Sequence, residues 1–118
     1  IEPCGFLLND KRFKRVVMDY MYEKDIKFYK NQDEFFKSKQ NKRVILMTTK
    51  ASTSYTKFKF DKNDTILFGR ESAGVPEEIH GLIKNQLKIP MKNDKRSLNI
   101  SSSVAIILSE CLKQTKLI

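Results

Sequence analysis

Short apolar runs alternate with segments of helical periodicity along this chain, and that alternation constrains the fold more than any other feature. Val44 to Met47, within a strand candidate at residues 43–48, and Thr65 to Phe68 are near-continuous apolar runs, the pattern of strands buried on both faces. Residues 87–89 form a further strand candidate and residues 26–29 a short one. Between them lie helices. Asp10 can cap a helix over residues 10–21 whose Phe13, Val16, Val17 and Tyr20 follow the i, i+3, i+4, i+7 template. Residues 32–39 predict a short helix with Phe35 and Phe36 inward, and residues 76–82 another with Pro76 at its first position. Residues 99–114 carry a stripe of Ile100, Val104, Ile107, Leu108, Cys111 and Leu112, more simply core than cofactor box. The expected fold class is α/β: a parallel sheet with helices on both faces. In such sheets ligands collect at the carboxyl ends of strands, which singles out the loops after Met47, Phe68 and Ile89.

Several function classes fall away on composition. At 118 residues the chain has the length of one domain, and no internal repeat or low-complexity linker interrupts it. Its apolar runs are far below the ~18 residues of a membrane-spanning helix, so no membrane crossing is expected. The cysteines, Cys4 and Cys111, sit near opposite ends and His80 is the lone histidine. No metal-ligand spacing can be assembled from that set, and no metal is expected. Free thiols in a cytoplasmic protein explain two scattered cysteines better than a disulfide, although one bridge is possible. A Cys–His pair or serine triad would have to recruit His80 from beside Gly81.

The net charge of +9 is uneven: residues 1–60 carry 14 basic and 7 acidic side chains, the remainder 9 and 7. That bias suits a polyanionic partner, and a lysine-rich composition would give the same balance with no partner. On the helix over residues 10–21, Lys11, Arg12, Lys14 and Arg15 fall opposite the apolar face with no acid among them. The ridge is either a solvated face or a phosphate contact.

The second loop reads Gly69-Arg70-Glu71-Ser72-Ala73-Gly74-Val75-Pro76. Val75-Pro76 stands where a phosphate loop requires Lys-Ser/Thr, and no G-x-G-x-x-G occurs anywhere, so nucleoside triphosphatase and dinucleotide sites are rejected. The two glycines serve a tight strand-to-helix turn, or let backbone approach a ligand. The third loop, Ile89-Pro90-Met91 followed by Arg96-Ser97-Leu98-Asn99-Ile100-Ser101, holds residue types that would ordinarily be read as helix caps.

Taken together, Leu67 to Pro76 and the third-loop residues resemble the second and third signature motifs of the SpoU branch of the SPOUT RNA methyltransferases. Ile1-Glu2-Pro3, Gly5-Phe6, Asp10-Lys11-Arg12 and Asp19-Tyr20 resemble the subgroup that 2'-O-methylates the wobble nucleotide of tRNA. The resemblance spans nearly the whole chain. It implies a C-terminal trefoil knot, an exception to the rule that chains avoid knots, and a homodimer with each active site completed near the subunit interface. It implies S-adenosylmethionine held by the knot loops, with Met47, Gly69, Ile89 and Ser97 at family binding positions and Thr48 and Leu98 assisting through backbone. Glu71, Ser97 and Asn99 match active-site positions: Glu71 orients a catalytic arginine or the substrate, Ser97 and Asn99 the ribose and loop. Lys11, Arg12, Arg15 and Arg96 would hold tRNA phosphates. The family's arginine motif, Asn-x-Gly-Asn-x-x-Arg, is not in this sequence. Ile1 reads as the end of a strand, so residues 1–118 are expected to form one domain that starts mid-fold, N-terminally incomplete, with about one strand-helix unit upstream.

The expected function is therefore a cytoplasmic, S-adenosylmethionine-dependent tRNA methyltransferase acting on the wobble ribose. Its rivals are methylation of another tRNA or rRNA site, a noncatalytic RNA-binding module of the same fold, and a fragment of a larger basic protein.

Overall fold

The computed structural model describes residues 1, 26–70, 74–92 and 98–118. They fall in two compact units, Ile1–Gln40 and Asn41–Ile118. The helix expected over residues 10–21, with its basic ridge, lies outside the described residues.

In the first unit, helix α1 (Gln32–Ser38) starts where Asn31 accepts a hydrogen bond from the Glu34 N–H at 2.9 Å, while the Glu34 carboxylate accepts one from the Lys30 N–H at 2.8 Å. This reciprocal capping satisfies main-chain donors that a helix start leaves open. Phe35 is buried and packs edge-to-face on Tyr29 and Phe36, at ring separations of 5.2 and 5.3 Å. The strand expected at residues 26–29 has no ladder among the described residues. Tyr29 instead packs its ring on Phe35, and Phe28 is 53% exposed. A run of alternate apolar side chains makes a strand only where a neighbouring edge takes its N–H and C=O groups.

The second unit is built on a parallel sheet of β1 (Val44–Met47), β2 (Thr65–Phe68) and β3 (Asn85–Leu87), in the order β2-β1-β3. Val44 lies opposite Thr65 and Met47 opposite Phe68 on one side; Ile45 faces Asn85 and Met47 faces Leu87 on the other. The central strand explains its own composition. Ile45 and Leu46 are both completely buried, on opposite faces. Ile45 and Met47 join Leu87, Phe60 and Ile107 in one cluster, which places α3 (Ile100–Gln114) on that face.

The third strand begins two residues earlier than expected. Asn85 and Gln86 pair with β1 despite their polarity because β3 is an outer strand and the Gln86 amide ties back to the carbonyls of His80 and Ile83, at 2.6 and 2.8 Å. Lys88 then leaves β1 and exchanges hydrogen bonds with Thr53 and Tyr55. The loop beginning at Ala51 includes one 3-10 turn, Tyr55–Lys57. Helix α2 (Glu77–Leu82) follows β2, and Pro76 occupies its cap with an extended ψ of 145° rather than its first helical position. Proline's fixed φ suits either place, and only ψ separates them.

The stripe on α3 is wider than the face it buries. Ile107 is fully buried and Cys111 packs against the cluster, while Val104 and Leu108 are 38% and 52% exposed. Toward the far end of the helix the Gln114 amide replaces a strand neighbour: its oxygen accepts from the Phe60 N–H at 2.8 Å and its nitrogen donates to Phe58 O at 3.0 Å. Among the described residues no helix is long and apolar enough to cross a membrane.

Candidate functional site

The strand order carries the site. From β1 the chain passes outward to β2, then crosses back through α2 to β3 on the other side. Loops leaving the carboxyl ends of neighbouring strands in opposite directions open a crevice between them. Here it is a cavity of about 470 Å³ lined by Met47 to Lys50 after β1, Phe68 to Arg70 with Gly74 and Val75 after β2, and Ile89, Met91, Leu98 and Asn99 after β3. His80 of α2 and Ile100 and Ser103 of α3 complete the wall. That volume falls in the range that holds a nucleoside-sized ligand, about 300–1,000 Å³.

The second loop folds back on itself. Arg70 and Gly74 exchange two main-chain hydrogen bonds of 3.2 and 2.8 Å, and Gly74 has a φ of +66° that favours glycine. Gly69 has another reason to be glycine: a Cβ there would lie 2.7 Å from the Gly74 carbonyl carbon and 2.8 Å from Val75 N. The space left by its missing side chain is filled by this turn, so Gly69 sets the shape of the cavity wall.

On the opposite wall the Thr48 main chain is already engaged. Its N–H donates to Leu87 O at 2.9 Å and its carbonyl accepts from the Ala51 N–H at 3.3 Å. The resemblance implied that Thr48 assists through backbone; the sheet takes its N–H, while its carbonyl keeps a lone pair and its side chain also lines the cavity. The Thr48 hydroxyl lies 2.8 Å from His80 Nε2, and His80 Nδ1 lies 3.2 Å from Pro76 O. Sequence reasoning set His80 aside as a lone histidine beside a glycine. Nothing in the sequence signals that α2 returns it to the end of β1.

Among the described residues, two cations line the cavity. Lys50 is ion-paired with Glu77, whereas the Arg70 side chain is exposed and, among the described residues, has no hydrogen-bond or ion-pair partner. Away from the cavity, burial pushes the Asp64 carboxyl up, but hydrogen bonds from Arg43 and the Asp61 N–H, with the Arg43 charge, outweigh this and hold it below its ordinary value. Cys111 is a free thiol, pushed up chiefly by burial and further by the nearby carboxylates of Asp64 and Glu110.

Of the residues singled out from sequence, Met47, Thr48, Gly69, Ile89, Leu98 and Asn99 are brought together on this one cavity. Asn99 caps α3, its Oδ1 accepting from the Ser101 N–H at 2.8 Å, so the capping role read from its residue type is present. Glu71, Ser97, Arg96, Lys11, Arg12 and Arg15 lie outside the described residues.

The model of the SpoU rRNA methylase family matches residues 1–109. The chain belongs to that family. Among its relatives is the tRNA (cytidine(34)-2'-O)-methyltransferase of Beijerinckia indica, 39% identical over 116 residues that cover 97% of this chain and 72% of the relative. A solved structure described as giving insights into the 2-OH methylation of C/U34 on tRNA superposes with a TM-score of 0.86 at 33% identity, covering 95% of this chain and 74% of that one. An AdoMet-bound rRNA methyltransferase from Sinorhizobium meliloti shares the fold, with a TM-score of 0.63 at 24% identity over 70% of this chain and 33% of that one.

Proposed function

We propose that this SpoU family member transfers a methyl group from S-adenosylmethionine to the ribose 2'-OH of the wobble nucleotide in the tRNA anticodon. The observation that carries the reading is the convergence of three carboxyl-end loops, bearing both signature motifs, on one cavity of nucleoside size in a chain whose relatives bear that activity's name. The cavity fits the cofactor chemically. Apolar Met47, Ile89 and Met91 suit the faces of an adenine, Thr48 offers a hydroxyl, and Gly69 with Gly74 and Val75 presents main chain.

When bound, S-adenosylmethionine supplies an electrophilic sulfonium methyl, which passes to the ribose 2'-oxygen while the thioether leaves and the hydroxyl proton is released. The residues of this chain hold and orient. Met47, Thr48, Gly69, Ile89, Ser97 and Leu98 hold the cofactor; Glu71, Ser97 and Asn99 place the ribose so that its oxygen meets the methyl in line. Lys11, Arg12, Arg15 and Arg96 bind tRNA phosphates, which fix register without reading sequence. The +9 charge supports that assignment.

Three further features belong to the same reading. Residues 1–118 act as one SPOUT domain whose C-terminal part forms the trefoil knot, supported by the adjacency of the second and third loops around the cavity. The protein works as a cytoplasmic homodimer, and the exposed apolar Val104 and Leu108 on α3 are what a partner copy would cover.

The test is methyl transfer from labelled S-adenosylmethionine to tRNA by the purified full-length protein, with nuclease digestion and mass spectrometry locating the mark. A ribose methyl on the wobble nucleotide is expected. Methylation at another nucleotide would overturn the substrate position, and cofactor binding without transfer would favour a noncatalytic RNA-binding module.

A further inference from the structure

The Thr48 hydroxyl and the His80 imidazole face each other on the cavity wall, and the surrounding hydrogen bonds decide which of them gives the proton. Pro76 O can only accept, and it lies 3.2 Å from His80 Nδ1, so Nδ1 carries a proton. In the neutral imidazole Nε2 is then a bare lone pair. In that tautomer Thr48 Oγ1, 2.8 Å away, donates its single proton to Nε2. The Lys50 N–H, at 3.2 Å, takes one lone pair of the same oxygen. What the Thr48 hydroxyl retains for a ligand is one further lone pair. Its main-chain N–H is bound to Leu87 O, so no donor remains at this position.

We propose that His80 is a positioning residue that makes Thr48 an obligate hydrogen-bond acceptor, so that this wall selects a nucleoside presenting a donor, either the exocyclic amino group of adenine or a ribose hydroxyl. The inference rests on the reading that S-adenosylmethionine occupies the cavity. It goes beyond that reading by fixing the polarity of one contact and assigning it to a side chain that touches the ligand only through another. A threonine hydroxyl left to rotate would donate or accept equally well and would not discriminate. The reach of His80 is itself fixed: Gln86 holds its carbonyl at 2.6 Å, and Pro76 O holds its ring.

The test combines spectroscopy of the free protein with binding. Nitrogen NMR of His80 is expected to show the proton on Nδ1 and a bare Nε2; a proton on Nε2 instead would overturn the inference whatever the cofactor does. Calorimetric titration then compares S-adenosylhomocysteine with two analogues, one carrying a 6-oxo group in place of the amino group and one lacking a ribose hydroxyl. The wild type is expected to bind one of them about tenfold more weakly, the size of one net hydrogen bond. Which analogue suffers identifies the donor.

That penalty is expected to vanish in Thr48→Val, to fall below threefold in His80→Leu, and to return in His80→Gln, whose side-chain oxygen can accept the threonine proton. The double variant Thr48→Val/His80→Leu is expected to discriminate no worse than Thr48→Val alone, because the two residues act as a unit. A merely structural histidine would lower affinity for parent and analogues alike, so unchanged discrimination in His80→Leu overturns the assignment. Failure of the wild type to bind S-adenosylhomocysteine at all would overturn the cofactor reading and this inference with it.

Discussion

Replacing Gly69 by alanine separates a glycine required by packing from one that only marks a turn. The added Cβ would meet the Gly74 carbonyl carbon and Val75 Cγ2 at 2.7 Å and Val75 N at 2.8 Å, against an ordinary carbon contact of about 3.5–4.0 Å. Two of the three atoms are main chain, so a side-chain rotation cannot relieve the overlap and the turn itself must move. Overpacking of this kind costs about 1–3 kcal/mol, of which about 0.4–1 kcal/mol is offset by the stiffer unfolded chain. At this chain length each kcal/mol moves Tm by about 4 °C, so the net loss lowers the Gly69→Ala melt by up to about 10 °C relative to the wild type. Because the displaced turn lines the cavity, affinity for S-adenosylhomocysteine should fall as well. Gly81→Ala is the control: it lies within α2 with nothing within 4 Å of its Cβ, so alanine's helix propensity should raise stability by about 0.5–1 kcal/mol. Circular dichroism melts and calorimetric titration read both variants. If Gly69→Ala melts at or above the wild type with unaltered affinity, the packing argument is wrong.

Gln114→Ala removes the acceptor for the Phe60 N–H and the donor to Phe58 O; unmatched partly buried groups cost about 1–3 kcal/mol, a loss urea denaturation would read, while a loss under 0.5 kcal/mol would mean water replaces the amide. Arg70→Gln should reduce the slope of log affinity for tRNA against log salt by about 0.7–0.9, with Arg70→Lys retaining it; identical slopes would remove Arg70 from the phosphate path. The Asp64 carboxyl is held below its ordinary value in the folded protein, so its contribution is full above the unfolded value of about 3.9 and is lost as pH falls through the folded one. The urea midpoint of Asp64→Asn should therefore lie below that of the wild type at pH 7, and the gap should narrow as pH falls below the unfolded value; a gap independent of pH would show that charge is not the cause. Burial raises the Cys111 thiol, so in a Cys4→Ser background its alkylation at pH 8 should be slow until denaturant is added, and fast reaction with the folded protein would contradict the packing of α3.

The sheet was legible because its central strand is buried on both faces: the strand candidate at residues 43–48 is a strand over its apolar run, Val44 to Met47, one residue shorter at each end, and Thr65 to Phe68 is a strand with the bounds read. The third strand was misplaced by two residues because pairing, not hydrophobicity, decides an outer strand, and Asn85 and Gln86 pair with Ile45 and Leu46. The α3 stripe was drawn too wide since periodicity counts every apolar residue, while the cluster admits only the face that holds Ile107. The loops that meet at the cavity were found by their position after strands and by the motifs they carry. His80 was missed for a different reason. A side chain whose partner on the cavity wall, Thr48, lies 32 residues away leaves no local pattern.

The same hydrogen bonds that build the sheet also decide which groups the cavity can offer. The N–H groups of Thr48, Lys88 and Tyr55, all near the carboxyl edge, donate to Leu87, Thr53 and Lys88 respectively. A ligand at this edge therefore meets few open main-chain donors from β1 and β3, unlike a phosphate at a glycine-rich helix start, which is held by several at once. Recognition must fall to apolar faces, to side-chain oxygens such as Thr48 Oγ1, and to the second loop, where the close approach at Gly69 brings main chain to the surface. Such a wall suits a ligand that is flat, largely uncharged where it is gripped, and able to donate hydrogen bonds. An adenosine moiety has those properties and a triphosphate does not. On the proposed reading Arg70, whose side chain at the cavity wall has no hydrogen-bond or ion-pair partner among the described residues, is left for the polyanion that brings the reacting ribose, and one strand edge would divide the two substrates by charge.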